Sequence, residues 1–203
     1  MEKAGDVSGI VLAGGLSSRI GKDKGGLKLG GMPLAQRALQ RLSALFEEVI
    51  YVTNDPMTAP ATANIKLAKD DIPHLGPLGG ILAGLRASRA PRAFVVGYDM
   101  PFVSPALVRF LVARDPGADI VVPRSAGRFE PLHAVYSRNC VPVIAERLAA
   151  GDRRIIGFYD RVNVTVVDEE ELREVDPELR SFFNINTLDD LQRAAEMAKD
   201  DGG

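Results

Sequence analysis

Apolar positions in this chain fall into two alternating patterns: short unbroken runs, and longer stretches with a helical period. The runs are Val7–Leu12, Val49–Thr53, Asn64–Ala68, Ala93–Gly97, Asp119–Val122, Leu132–Tyr136 and Val162–Val167. They are rich in Val and Ile, and several lack polar alternation, which predicts strands covered on both faces. Between them, Pro33 opens a stretch with Leu34, Ala38, Leu39, Leu42, Leu45 and Phe46 at helical spacing. Leu78–Ser88 and Cys140–Ala149 carry similar apolar stripes, and Ser104 is placed to cap a helix over Pro105–Ala113. Thr187 reads as the cap of a last helix with Asp189 and Asp190 in its first turn. Arg124–Glu130 is the least regular interior segment, and the acidic tract 168–171 reads as a solvated loop or a helix start.

Strands alternating with helices predict a single α/β domain over residues 1–203. Its sheet is mainly parallel, with helices on both faces and a frayed tail at 199–203. Composition narrows the class without changing it. The 203 residues are 46% hydrophobic, and 25 basic against 27 acidic side chains give a net charge of −2. No basic stripe suggests nucleic acid, and no apolar run reaches the roughly 18 residues of a membrane span. Cys140 is the only cysteine, so no internal disulfide forms, as suits a cytoplasmic protein.

Ligands of open parallel sheets sit beyond the carboxyl ends of strands. The first run is followed there by Leu12-Ala13-Gly14-Gly15-Leu16-Ser17-Ser18-Arg19-Ile20-Gly21-Lys22-Asp23-Lys24. Glycines let backbone N–H groups approach an anion, Arg19 can fork onto phosphate oxygens, and Lys24 can add a point charge. A surface turn with incidental cations is the competing reading. Five residues separate Gly15 from Gly21 and Asp23 follows Lys22, so the Walker pattern fails, and the dinucleotide fingerprint is absent.

Two further strand ends carry carboxylates. Asp99 follows the run ending at Gly97 and can hold Mg2+ against phosphate oxygens, or serve as a turn residue. Asp70 and Asp71 precede His74-Leu75-Gly76-Pro77-Leu78-Gly79-Gly80. That arrangement suits either a base or ribose contact, or a turn with close helix packing.

Taken together, these residues resemble the molybdenum cofactor guanylyltransferase family. The matching motifs are Leu12 to Lys24, Asp70 with Pro73 and Gly76–Gly80, Asp99-Met100-Pro101-Phe102, and Asn184-Ile185-Asn186-Thr187-Leu188-Asp189-Asp190-Leu191. They span nearly the whole chain in order. The resemblance implies a nucleotide-diphospho-sugar transferase-like fold and a soluble cytoplasmic enzyme. Its reaction would transfer GMP from GTP to the terminal phosphate of molybdopterin, with release of pyrophosphate. It implies nucleotide contacts from Leu12, Ala13, Gly14, Gly15, Lys24, Asn54, Asp70, Gly76, Pro77, Leu78 and Asp99. Arg19 and Lys24 would hold phosphates and Asp99 would bind Mg2+, with Mn2+ as a substitute. His133, Asn184 and Asn186 would lie near the molybdenum cofactor substrate. Further partners would be cofactor-insertion proteins or molybdoenzymes, met transiently, with no nucleic acid and no membrane.

Several departures and rivals stay open. Asp71 could take the role of Asp70, Tyr98 could narrow the site or pack, and His133 is equally a histidine within a sheet. Arg153 and Arg154 could meet a phosphate or form a surface pair. Cytidylyl transfer to the same cofactor, sugar-1-phosphate nucleotidyl transfer, and a cofactor chaperone without turnover are the alternatives. Gly14 and Gly76–Gly80 favour guanine over cytosine.

Overall fold

The computed structural model describes residues 5–13, 27–55, 65–69 and 75–200. The long apolar runs form strands β1 (Val7–Leu12), β4 (Val49–Val52), β5 (Ile65–Ala68), β6 (Arg92–Gly97), β7 (Ile120–Ser125), β9 (His133–Ser137) and β10 (Val164–Asp168). They stand in the order β10-β7-β9-β6-β1-β4-β5. All neighbours are parallel except at β9, which runs against both β6 and β7. A mainly parallel sheet with helices on both faces is therefore what the chain forms.

Side-chain alternation along each strand builds two cores. Val7 and Val11 of β1 face α1 (Leu34–Ser43), α3 (Pro105–Arg114) and α5 (Glu169–Val175). Ile10 and Leu12 face α2 (Gly76–Ala87) and α4 (Cys140–Ala149). Glycine lets helices lie close on this sheet: a Cβ on Gly84 of α2 would meet Ile10 at 2.8 Å. A third cluster joins Leu29, Leu34, Ile185 and Ala194. It packs α6 (Leu188–Asp200) against a small hairpin of β2 (Lys28–Leu29) and β3 (Met32–Pro33).

Local signals explain most boundaries. Ser104 Oγ accepts from Leu107 N–H at 3.4 Å at the start of α3. Thr187 Oγ1 accepts from Asp190 N–H at 3.0 Å, and Asp190 Oδ2 accepts from the N–H groups of Asn186 and Thr187. This reciprocal cap satisfies donors the first turn leaves unpaired.

Two expectations are corrected. Pro33 precedes α1 as its cap residue and pairs in the β2–β3 hairpin, where its missing N–H costs nothing. Arg124–Glu130 is not an irregular loop: β7 continues to Ser125 and turns through Ala126 and Gly127, both at positive φ, into β8 (Arg128–Phe129). Of the two readings of the acidic tract, the helix start is the one found: Asp168 stands at the cap position of α5 and Glu169–Glu171 form its first turn, where carboxylates suit the helix N-terminus. The last helix runs to Asp200, and residues 201–203 lie outside the described residues. No helix among the described residues is long and apolar enough to cross a membrane.

Candidate active site

The parallel strands end together, and backbone hydrogen bonds stitch their carboxyl ends into one row. Ala13 N–H donates to Val52 O at 2.9 Å, Thr53 N–H to Ala68 O at 3.0 Å, and Tyr98 N–H to Leu12 O at 3.1 Å. Gly97 N–H donates to Leu132 O at 3.2 Å. Four loops thus leave side by side, bearing Ala13, Asn54, Asp99 and the segment 129–132. Gly14, Gly15, Arg19, Lys24 and Asp70 lie outside the described residues, as do Lys22, Asp71 and His74.

Leu12 and Leu78 are buried, so their side chains belong to the core and only backbone atoms can meet a ligand. Asn54 is exposed just beyond β4, in a turn held by Thr53 Oγ1, which accepts from Asp55 N–H at 3.1 Å. Gly76 has φ +73°, a conformation costly for any side chain. Pro77 then opens α2, whose first N–H groups have no helical partners. Gly80 leaves just enough room for Leu12: a Cβ there would stand 3.3 Å from Leu12 Cδ2.

Asp99 is half-buried in the turn after β6. Its carboxylate lies over Gly97, where a built Cβ would come within 2.5 Å of Oδ1. Its carbonyl accepts from Ile185 N–H at 2.9 Å, which brings the Asn184–Asn186 segment to this loop. Asn184 is half-buried and donates through Nδ2 to Phe182 O at 3.1 Å, while Asn186 is exposed. Tyr98 packs between two of the cores. Burial, then the charge of Asp99, then Tyr51 push its phenol up to about 12, so it stays neutral.

His133 lies at the start of β9. Its ring is 0% exposed, edge-on to Phe94 at 5.0 Å and to Phe182 at 5.2 Å between ring centres. Both ring nitrogens lack a protein partner. Burial holds its pKa down to about 3, so it is a neutral core group packed between Phe94 and Phe182. Arg154 forms an ion pair with Asp152 at 2.9 Å, as a surface pair would.

Sequence patterns passed over Ile185, whose main chain ties the asparagines to Asp99; its apolar position inside an otherwise polar motif was the available signal. They also passed over Leu132, whose carbonyl closes the row; nothing in its residue type marks that role.

The donor set suits a divalent ion that shares its ligands with a substrate. Among the described residues no three His, Cys, Asp or Glu converge. Asp99 offers one carboxylate at a strand end, and Mg2+ commonly takes one or two carboxylates with substrate phosphates supplying the rest.

The whole architecture has close counterparts. A molybdenum cofactor guanylyltransferase of Desulfosudis oleivorans is 36% identical over 195 residues, covering 95% of this chain and 96% of its own. A protein of Pelotomaculum thermopropionicum named as a probable molybdenum cofactor guanylyltransferase is 37% identical over 192 residues, covering 95% and 93%. The crystal structure of molybdopterin-guanine dinucleotide biosynthesis protein A from Archaeoglobus fulgidus superposes with a TM-score of 0.83 at 32% identity, covering 95% of this chain and 99% of that one. The profile of the MobA-like NTP transferase domain matches residues 9–163, from within β1 to the approach to β10. With the carboxyl ends of β1, β4 and β6 and the Asp99 loop inside that match, the chain belongs to the MobA-like NTP transferase family.

Proposed function

We propose that this protein transfers GMP from GTP to the terminal phosphate of molybdopterin, forming a guanine dinucleotide cofactor and releasing pyrophosphate. The observation that carries the reading is the place of Asp99. It stands at the carboxyl edge between the strand ends that lead to the glycine-rich loop and the segment bearing Asn184 and Asn186. A carboxylate there serves a reaction in which two anions must meet.

An oxygen of the acceptor phosphate attacks the α-phosphorus of GTP, and the bond from that phosphorus to the bridging oxygen of pyrophosphate breaks. The nucleophile is already anionic, so no strong base is needed; alignment and charge neutralisation carry the catalysis. A Mg2+ ion held by Asp99, or Mn2+ in its place, supplies part of that neutralisation. In this reading Arg19 and Lys24 hold phosphates, and backbone groups of Leu12, Ala13, Gly14 and Gly15 border the nucleotide. Asn54, Asp70 and the start of α2 at Gly76, Pro77 and Leu78 complete the nucleotide side. Asn184 and Asn186 face the acceptor. The reaction belongs in the cytoplasm, where the one cysteine stays reduced, and the product passes to molybdoenzymes or insertion proteins by transient contact.

Calorimetric titration with GTP, CTP, ATP and UTP, with and without Mg2+, tests this directly. GTP is expected to bind most tightly, and Asp99→Ala to abolish pyrophosphate release while circular dichroism stays native. A preference for CTP would replace guanylyl with cytidylyl transfer. Normal Mg2+-dependent turnover by Asp99→Ala would remove that residue from the mechanism.

A further inference from the structure

The loop that carries Asp99 leaves β6 at Gly97 and reaches α3 at Pro105. Its side chains Met100 and Val103 are buried in the core, and Pro101 has no N–H to give. Within the loop, Met100 N–H returns to Gly97 O at 3.3 Å. Three further backbone groups are met by one segment far along the chain. Ile185 N–H donates to Asp99 O at 2.9 Å. Ser181 Oγ accepts from Ser104 N–H at 3.1 Å and donates to Phe102 O at 3.2 Å. One hydroxyl thus bonds on both sides of Val103, at the residue whose own side chain caps α3. Ser181 is 0% exposed, and buried backbone groups need such partners. The segment 181–185 therefore holds the Asp99 loop at its start and at its end.

The chain places Ser181 at a cost. Leu179 sits at φ +54°, a region leucine enters at a penalty. Asp176, at the end of α5, holds that turn. Its carbonyl accepts from Leu179 N–H at 2.9 Å, and its carboxylate accepts from Ser181 N–H at 3.0 Å. Beyond Ser181, Phe183 packs edge-on to Phe102 with ring centres 6.0 Å apart, and Arg193 stands 5.4 Å from the Phe183 ring centre. Strain persists where the surroundings over-determine it, and such places gather at functional sites.

We infer that Ser181 is a positioning residue. Its hydroxyl fixes the course of the loop that presents the Asp99 carboxylate, and so sets how well that carboxylate holds a divalent cation beside GTP. It acts through the backbone of residues 102–104. The inference rests on the reading of Asp99 as the residue that holds the ion.

The test compares wild type with Ser181→Ala, Ser181→Cys, Asp99→Ala and Ser88→Ala. Ser88 is a matched buried serine at the amino edge of the sheet. It is 3% exposed, shares a bond with Ser8 Oγ at 2.9 Å and donates to Ala90 O at 3.1 Å. Three quantities are measured: the gain in GTP affinity that Mg2+ gives, by calorimetry; hydrogen exchange over residues 98–104; and kcat for pyrophosphate release with molybdopterin. Ser181→Ala is expected to shrink the Mg2+-dependent gain about three- to tenfold, with GTP affinity in the absence of Mg2+ unchanged. Exchange over 102–104 should quicken, and kcat should fall about tenfold through misplacement of the carboxylate. Ser181→Cys fills the same space with a weak donor and should fall between Ala and wild type. Ser88→Ala should lower Tm as much as Ser181→Ala and leave the Mg2+ gain and kcat as in wild type.

An unchanged Mg2+ gain and kcat in Ser181→Ala, even with quickened exchange, would overturn the inference and leave Ser181 a structural group. Equal losses in Ser88→Ala would overturn it as well. Wild type that shows the Mg2+ gain but no transfer would overturn the proposed function alone, and the gain would still decide Ser181. A wild-type gain that is absent, or that survives Asp99→Ala, would overturn the reading of Asp99 and the inference with it.

Discussion

Gly97 and Asp99 share so little space that one sets the rotamer of the other. A methyl group on Gly97 would meet Asp99 Oδ1 at 2.5 Å, and the short aspartate must turn away from its strand-end position. Gly97→Ala is therefore expected to lower kcat at least tenfold while Tm changes by only a few degrees, checked by pyrophosphate release beside thermal unfolding. Retained kcat would show that the carboxylate can work from another rotamer. His133 poses a different question at the same scale. Its two ring nitrogens are buried without partners, and its pKa stands near 3 against 6.5 in an unfolded chain. As pH falls below 6.5 the unfolded chain takes up a proton that the folded one refuses. Stability should then fall by about 1.4 kcal/mol per pH unit until the folded state also protonates near pH 3. His133→Leu, similar in volume and without polar atoms, should be more stable at neutral pH by about 1–3 kcal/mol and lose that acid slope. Urea unfolding at pH 7.5, 6 and 5 checks both; parallel slopes for the two proteins would refute the buried neutral imidazole.

At the scale of elements, the β7–β8 turn holds an alanine at positive φ. Ala126→Gly removes the penalty of a side chain at φ +47°, against a smaller cost in unfolded-chain entropy, and should raise stability by about 0.5–1 kcal/mol. A loss of stability on denaturant unfolding would mean that the alanine is unstrained. This hairpin also marks where sequence reading stopped. The strands β1 and β6 were legible because unbroken Val- and Ile-rich runs have few other fates in a parallel sheet. The caps at Ser104 and Thr187 were legible because those side chains bond to their own neighbours. The hairpin was not. It rests on Glu169, 43 residues from Ala126 along the chain, and no local pattern announces a bond of that span. The antiparallel course of β9 was hidden for the same reason, since strand direction depends on connections and not on residue type. Among site residues, Asp99 and the asparagines were visible by motif, whereas the burial of His133 depends on Phe94 and Phe182, one from each distant end of its contact.

At the scale of the molecule, the C-terminal segment is a strap that joins the two ends of the chain at the site. Ile185 is buried with Leu29 and Leu34, next to the hairpin that follows the glycine-rich loop, and its N–H holds the Asp99 carbonyl. Ser181, a few residues earlier, accepts from Ser104 N–H and donates to Phe102 O, fixing the same loop from its far side. The Asp99 loop and the β2–β3 hairpin are thus referenced to one short segment, which in the proposed reading keeps nucleotide and acceptor aligned across a sheet whose loops leave from separate strands. If so, loosening the strap should cost function beyond its cost in stability. Ile185→Ala is expected to destabilise by about 2–4 kcal/mol, as does Ile144→Ala in the core between α4 and the sheet. Measured well below both melting points, Ile144→Ala should keep kcat within about twofold, because its cavity leaves the carboxyl edge untouched. Ile185→Ala should lose about tenfold in kcat and weaken GTP binding, because the Asp99 carbonyl and the β2–β3 hairpin lose their common anchor. Matched activities at matched stability would reduce the strap to ordinary packing and leave the alignment of the two halves to the sheet alone.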